Sequence, residues 1–232
     1  MEGRESLHTW SLAMAVTSLV AMAVWIAAPN ALSPRGMAIA HATWTLAAFG
    51  YVFVRIGGHR RRADRVTGVR SLLCPVLFAA HALQPRAAWW KVGLALAVIV
   101  LDRVDGELAR RDGPTERGAV FDMESDAFYL VTMCGIAHVY LGVTALVFIV
   151  GGMRPLYVCA WAVLRRFIEP SSPNRAGSLR ARVIHVALVV ALLIDLAPLV
   201  PLGVKNAATA VAIVLICYSY AIDVVGTLRP PV

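Results

Sequence analysis

The chain has 232 residues, of which 59% are hydrophobic and only 16% are charged, and its mean hydropathy is +0.70. A soluble domain of this size needs more charged surface, so the composition excludes an ordinary soluble protein and indicates an integral membrane protein. The net charge of +8 comes from basic residues that lie mostly between apolar segments. There they indicate cytoplasmic loops and contact with anionic lipid head groups, and we expect no nucleic-acid partner.

Apolar segments follow one another along the whole chain. The first two, at 10–28 and 37–56, have about the length that a bilayer requires, and prolines and polar residues mark the turn between them. No small-residue cleavage site follows the first segment, which favours a retained helix over a signal peptide. His41, in the second segment, is interpreted as a packed or hydrogen-bonded histidine. Six further segments are predicted at 68–84, 88–104, 124–141, 143–163, 183–200 and 206–226. We therefore expect an all-α integral membrane protein with eight membrane helices.

The basic loops predict how these helices are oriented. The most basic one, GGHRRRADR at 57–65, is placed in the cytoplasm by the positive-inside rule. Alternating from that loop also places 105–121, 164–182 and both termini inside, and the loop at 164–182 is itself basic. This orientation predicts a protein of the cell membrane whose 105–121 loop faces the cytoplasm.

Four aspartates stand in two pairs beside that loop, Asp102 with Asp105 and Asp122 with Asp126. Spacings of three and four residues put each pair on one helix face. Two such helices side by side would bring four carboxylates together, and their mutual repulsion requires a cation between them. Carboxylate oxygens are ligands that suit Mg²⁺ or Mn²⁺. The pattern therefore predicts a metal site at the membrane surface that handles a phosphate-containing substrate.

Arg154 interrupts the apolar segment at 143–163, next to Gly151, Gly152 and Pro155. A charged residue inside a membrane is costly unless it is paired, so Arg154 is a candidate functional residue. The alternative is that Arg154 begins a helix at the outer interface. Asp195 and Asp223 also lie in apolar segments, near expected helix ends, which favours capping or exposure at the interface.

The central stretch reads Asp102-x2-Asp105-Gly106-x2-Ala109-Arg110-x7-Gly118-x3-Asp122-x3-Asp126. With every fixed position filled, it resembles the complete signature of the CDP-alcohol phosphotransferase family, also called CDP-alcohol phosphatidyltransferases. The resemblance implies that 58–232 form the family's six-helix core. The two transmembrane helices in 1–57 lie outside that core, and the resemblance says nothing about their role.

The resemblance implies an enzyme of phospholipid biosynthesis. It would transfer a phosphatidyl group from a CDP-linked lipid, such as CDP-diacylglycerol, to an alcohol acceptor and release CMP. Two Mg²⁺ or Mn²⁺ ions would be held by Asp102, Asp105, Asp122 and Asp126. Asp126 would also act as the catalytic base that takes the proton from the acceptor hydroxyl.

The resemblance also implies contacts for the nucleotide and its diphosphate at Gly106, Ala109, Arg110 and Gly118. Upstream, the stretch from Asp64 to Arg70 resembles an Asn-x-x-Thr-x-x-Arg element of the family, with Asp64 in place of the asparagine. By this match Thr67 and Arg70 are nucleotide-side candidates. The candidates for binding an anionic acceptor are Arg154, Arg180 and Arg182.

The sequence also allows two other functional interpretations of the aspartates. An intramembrane prenyltransferase also uses aspartate pairs and Mg²⁺ to hold a diphosphate, although it does not require the glycine, alanine and arginine positions of this motif. A cation transporter could use the aspartates as ion ligands, but the acidic cluster lies at a membrane surface and no repeat with broken helices is evident. The acceptor alcohol is not fixed by the sequence, and the resemblance allows a homodimer.

Overall fold

A computed structural model of the chain describes residues 2–52, 54, 61–164 and 179–228. Within these residues the chain forms eight helices and no strand, which confirms the all-α prediction. Residues 57–60 and 165–178 of the two basic connections lie outside the described residues. The helices are α1 (Glu2–Ala27), α2 (Pro34–Tyr51), α3 (Arg62–Leu83), α4 (Trp89–Asp112), α5 (Glu116–Leu141), α6 (Val147–Leu164), α7 (Leu179–Leu196) and α8 (Leu202–Leu228).

Four of the described helices are long and apolar enough to cross a membrane by length and composition. The spans are Ser6–Ala27, Arg62–Leu83, Ala145–Leu164 and Leu202–Val225. The other four carry more polar residues; α7, for example, has two arginines and an aspartate among its 18 residues. The predicted membrane class is confirmed, and hydropathy by itself supports half of the eight predicted spans.

The two N-terminal helices share one core with the other six. Trp25 of α1 stacks on Phe78 of α3 and on Phe148 of α6, with ring centroids 5.5 Å and 6.1 Å apart. His41 of α2 stacks on Phe78 at 4.4 Å, and its Nε2 atom lies 3.1 Å from the Thr132 hydroxyl of α5. The prediction of a packed, hydrogen-bonded His41 is confirmed. These contacts fix α1 and α2 against α3, α5 and α6.

Two glycines let neighbouring helices approach α5 closely. A Cβ atom added to Gly135 would lie 2.7 Å from Cζ3 of Trp25, so the indole fills the space that a side chain would need. A Cβ atom on Gly151 of α6 would lie 3.1 Å from Sγ of Cys134 and 3.2 Å from Cα of Val131. As a result α5 packs against α1, α3, α6 and α7, and this central position fixes the direction of its aspartates.

The connection between α4 and α5 differs from the prediction. A loop was expected at 105–121, but α4 continues to Asp112 and α5 begins at Glu116. The expectation was wrong because the apolar pattern ends near the membrane surface, whereas the polar residues that follow are good helix formers in water. Gly113 ends α4 with a φ of 84°, and the Thr115 side chain caps α5 by accepting a hydrogen bond from the Gly118 amide at 3.1 Å. The whole motif therefore lies on a helical hairpin with a three-residue turn.

Candidate active site

The four motif aspartates converge on the guanidinium of Arg70, which projects from α3. Its Nη2 atom donates to Asp122 Oδ1 at 2.6 Å, and Nη1 donates to Asp126 Oδ1 at 2.8 Å. Nη1 also contacts Asp102 Oδ1, and Nε lies 3.6 Å from Asp105 Oδ2. The Arg70 side chain is only 3% exposed. Two pairs of carboxylates from α4 and α5 thus face one point, where a buried positive charge offsets their repulsion.

Three of these carboxylates have an arrangement that fits a divalent cation. One oxygen each from Asp102, Asp105 and Asp122 lies within 4.8 Å of the others. The Asp105 side chain is 3% exposed, and its Oδ2 accepts a hydrogen bond from Thr67 at 2.8 Å. Its Oδ1 is buried and has no hydrogen-bond partner among the described residues. A hard oxygen donor set with an unsatisfied buried oxygen matches what Mg²⁺ or Mn²⁺ requires.

A cavity of about 190 Å³ opens beside the aspartates, between α3 and the α4–α5 hairpin. Predicted nucleotide-side residues in its wall are Thr67, Gly106, Ala109 and Gly118. The small residues leave room close to the helix backbones, as a planar ligand would need. The remaining wall consists of Asp105 and Asp122 from the aspartate cluster together with Arg61, Ala63, Asp64, Asp112, Gly113, Pro114, Thr115 and Ala119.

Gly118 lies in this cavity wall with little free space around its Cα atom. It lies in the first turn of α5, not in a turn before the helix. An added Cβ atom would lie 3.0 Å from the Thr115 hydroxyl and 3.3 Å from Asp64 Oδ1. The Asp64 residue is only 8% exposed, so a carboxylate forms part of the cavity wall at the position where the family resemblance implied an asparagine.

Arg110, predicted to contact a diphosphate, lies beside Gly106 of the cavity wall: a Cβ atom added to Gly106 would be 3.6 Å from Arg110 Nη1. The Arg110 side chain is 64% exposed, and its Nη2 donates to Glu107 Oε2 at 2.8 Å, so its contact with a diphosphate stays a prediction. Arg110 does not line the cavity, although the neighbouring Ala109 does. An exposed pair of this kind contributes little to stability, so the side chain can exchange partners at small cost.

The three arginines predicted for the acceptor lie in different surroundings. Arg154 is inside α6, and its Nη2 donates at 2.6 Å to Oε1 of Glu124 on α5. Arg180 of α7 donates to Asp223 Oδ1 of α8, also at 2.6 Å. Arg182 is exposed. None of them contacts the aspartate cluster in the part of the chain that the structure describes, and their role in acceptor binding stays a prediction.

Two residues near the site were missed in the sequence. His185 of α7 lies within electrostatic range of Asp102, Asp122 and Arg70. Glu124 lies between two motif aspartates but faces away from them. No spacing rule relates His185 to the motif, so the sequence carries no signal for it. Glu124 could have been identified from the sequence, because an additional acidic residue in a membrane helix is costly unless it has a partner.

The comparison with protein families agrees with this geometry. A family model described as CDP-alcohol phosphatidyltransferase matches residues 61–220, which include α3, the aspartate hairpin and most of α8. The chain belongs to the CDP-alcohol phosphatidyltransferase family. No curated protein and no solved structure matches it significantly.

Membership of the CDP-alcohol phosphatidyltransferase family confirms the resemblance found in the sequence. Such a protein is a membrane-embedded transferase of substituted phosphate groups in phospholipid biosynthesis, with CDP-alcohol and alcohol substrates. Members of the family typically depend on a divalent metal, and the aspartate cluster fits one. The match favours phosphatidyl transfer over prenyl transfer and cation transport.

Proposed function

We propose that the protein transfers a phosphatidyl group from CDP-diacylglycerol, or a closely related CDP-linked lipid, to the hydroxyl of an alcohol and releases CMP. The observation that carries this proposal is the position of the aspartate cluster at the edge of a cavity walled by small residues. A diphosphate held by the aspartates would leave its nucleoside within reach of Gly106, Ala109 and Gly118, which line that cavity.

The residues proposed to hold Mg²⁺ or Mn²⁺, as a pair of ions, are Asp102, Asp105, Asp122 and Asp126. Bound there, the metal would supply positive charge that stabilises a diphosphate and the departing CMP. Thr67 fixes the buried carboxylate of Asp105 through their 2.8 Å hydrogen bond. Arg70 is proposed to move one or more of its donors from the carboxylates to phosphate oxygens when substrate is present, because its planar fork suits both.

Asp126 is proposed as the base. Its carboxylate faces the same point as the other three. Because a carboxylate has two oxygens, Asp126 would bind a metal ion through one of them and take the proton of the hydroxyl group on the other. In the proposed reaction the acceptor oxygen forms a bond to the phosphorus of the phosphatidyl group, and its proton passes to Asp126. The bond from that phosphorus to the CMP oxygen breaks at the same time.

The proposal places this chemistry at the cytoplasmic surface of the cell membrane. The tight turn between α4 and α5 and the start of α3 line the same cavity and so lie at one end of the helices. The basic connection at 57–65, expected in the cytoplasm, leads directly into that end of α3. Arg180 and Arg182 begin α7 at that end, where they could meet a water-soluble acceptor. A homodimer is proposed as the assembly.

The test is release of CMP from CDP-diacylglycerol by the purified full chain in lipid nanodiscs. A panel of alcohols would include glycerol 3-phosphate, inositol phosphate and phosphatidylglycerol. We expect release only with a suitable alcohol and with Mg²⁺ or Mn²⁺, and loss of release in Asp105→Asn. Arg103→Gln is the matched control, because Arg103 follows Asp102 on α4 but is exposed.

Two outcomes would contradict the proposed function. The first is CMP release that continues in EDTA at an unchanged rate. The second is an absence of CMP release with every alcohol combined with metal-dependent cation flux into vesicles, which would favour a transporter.

A further inference from the structure

Glu124 lies between Asp122 and Asp126 on α5 but on the opposite face of the helix. A residue two positions away is turned by about 200° around the helix axis. Its side chain is 3% exposed and faces α1 and α6, away from the aspartate cluster. An acidic side chain buried in this way needs partners to offset the loss of water.

Two helices supply those partners. Glu124 Oε1 accepts a hydrogen bond from the Ser11 hydroxyl of α1 at 2.7 Å and another from Nη2 of Arg154 at 2.6 Å. Ser11 is 8% exposed and the Arg154 side chain 24%. One carboxylate therefore joins α1, α5 and α6 in the interior of the bundle.

This contact has a consequence for the opposite face of α5. Buried polar pairs contribute little net stability, but they can select one arrangement of helices over its neighbours. Because Glu124 is bonded from two sides, any rotation of α5 about its axis breaks at least one short hydrogen bond. The same rotation would move Asp122 and Asp126 relative to the two aspartates of α4.

We propose that Glu124 is a positioning residue for the metal site, and that Ser11 and Arg154 act through it. The N-terminal helix α1 then contributes to the geometry of the metal site through Ser11, although the family match begins at residue 61. Arg154 acts in this proposal by holding Glu124 through their 2.6 Å hydrogen bond. The inference rests on the proposed function in so far as the aspartates bind a divalent metal.

The experiment measures Mn²⁺ binding to the full chain in detergent by the loss of the free Mn²⁺ signal in electron paramagnetic resonance. The variants are Glu124→Gln and Ser11→Ala, and thermal unfolding is recorded for each. Ser18→Ala is the matched control, because Ser18 is also a buried serine of α1 but lies two turns beyond Ser11. Ser11→Ala leaves the ion pair intact, so it tests the proposal even where Glu124→Gln does not fold.

We expect Glu124→Gln to weaken Mn²⁺ binding about tenfold, the lower end of what is typical for residues that orient metal ligands. Ser11→Ala should weaken binding in the same direction by a smaller factor, and Ser18→Ala should leave it at the wild-type value. The Mg²⁺ concentration that gives half-maximal CMP release should shift by the same factors.

Unchanged Mn²⁺ affinity in the folded Ser11→Ala and Glu124→Gln variants, with lower thermal stability, would overturn the proposal and leave Glu124 a purely structural residue. Failure of the wild-type protein to bind Mn²⁺ would overturn the metal site itself, and with it the proposed function. The two failures are therefore distinguished by the wild-type measurement.

Discussion

Arg70→Gln is the perturbation that most directly tests the electrostatics of the site. It removes the guanidinium that contacts all four motif aspartates and leaves a shorter, neutral polar side chain. Without that guanidinium the carboxylates repel one another unless a metal ion is bound. The stability of the variant should therefore depend on metal more strongly than that of the wild-type protein.

The expected loss of stability in Arg70→Gln follows from the distances between the carboxylate oxygens. Two carboxylate oxygens 4.8 Å apart repel by about 3.5 kcal/mol at an effective dielectric constant of about 20. Asp102 and Asp122 are 40% and 45% exposed, so water screens a large part of this repulsion. Breaking a buried ion pair typically costs about 3–5 kcal/mol, which for a chain of this size corresponds to a decrease in melting temperature of about 10 °C.

The assay is thermal unfolding of the solubilised protein in EDTA and in saturating Mg²⁺. In EDTA we expect the melting temperature of Arg70→Gln to fall by the full amount. With Mg²⁺ it should fall by less than half of that amount, because bound metal neutralises the same carboxylate oxygens. Arg103→Gln, a substitution at an exposed position of α4, should leave the melting temperature unchanged in both buffers. An equal decrease for Arg70→Gln in both buffers would refute the reasoning, since it would show that guanidinium and metal do not neutralise the same carboxylates.

Three further substitutions test the base, the cavity and the helix packing. Asp126→Asn should lower CMP release by at least about 100-fold, the usual contribution of general base catalysis, while CDP binding measured by calorimetry stays close to wild type. Gly118→Val should raise the KM for CDP-diacylglycerol about tenfold, because its side chain would crowd Thr115 and Asp64 in the cavity wall. Gly135→Ala should destabilise the protein by about 1–3 kcal/mol in thermal or denaturant unfolding, because the added methyl group overlaps the Trp25 indole.

Each of these expectations has a result that would contradict it. Near-normal turnover in Asp126→Asn would remove the assignment of the base. Gly93→Ala is the control for both glycine substitutions, since nothing lies within 4 Å of a Cβ atom added there. A KM for Gly118→Val equal to that of Gly93→Ala would mean that the cavity does not hold the nucleotide. Equal stability of Gly135→Ala and Gly93→Ala would show that Trp25 moves aside without cost.

The spacing of the aspartates predicted much of the site. Intervals of three and four residues place Asp102 with Asp105 and Asp122 with Asp126 on single helix faces, and helical periodicity is a local property that the sequence records. The convergence of the two aspartate pairs was also predicted, because carboxylates on neighbouring helix ends repel one another unless they share a cation. The eight apolar segments likewise predicted the eight helices of the described chain.

Other features depend on contacts that no local pattern records. The central position of Arg70 depends on how α3 is rotated against α4 and α5, and this rotation is set by packing. Arg154 was identified as a costly charge, but its partner Glu124 lies 30 residues away on another helix. The length of the turn between α4 and α5 was overestimated, because hydropathy marks where the bilayer ends and not where a helix ends.

The docking of α1 has a consequence for how the protein is made. Its Ser11 is synthesised 113 residues before Glu124, and at translation rates of about 5–20 residues per second this interval lasts roughly 6–23 s. During this time the buried face of α1 has neither α5 nor α6 to pack against, so it must be accommodated by lipid or by the insertion machinery. Although α1 precedes the other described helices in the chain, it reaches its final neighbours late, and biogenesis of the enzyme depends on keeping α1 available until α6 has been inserted.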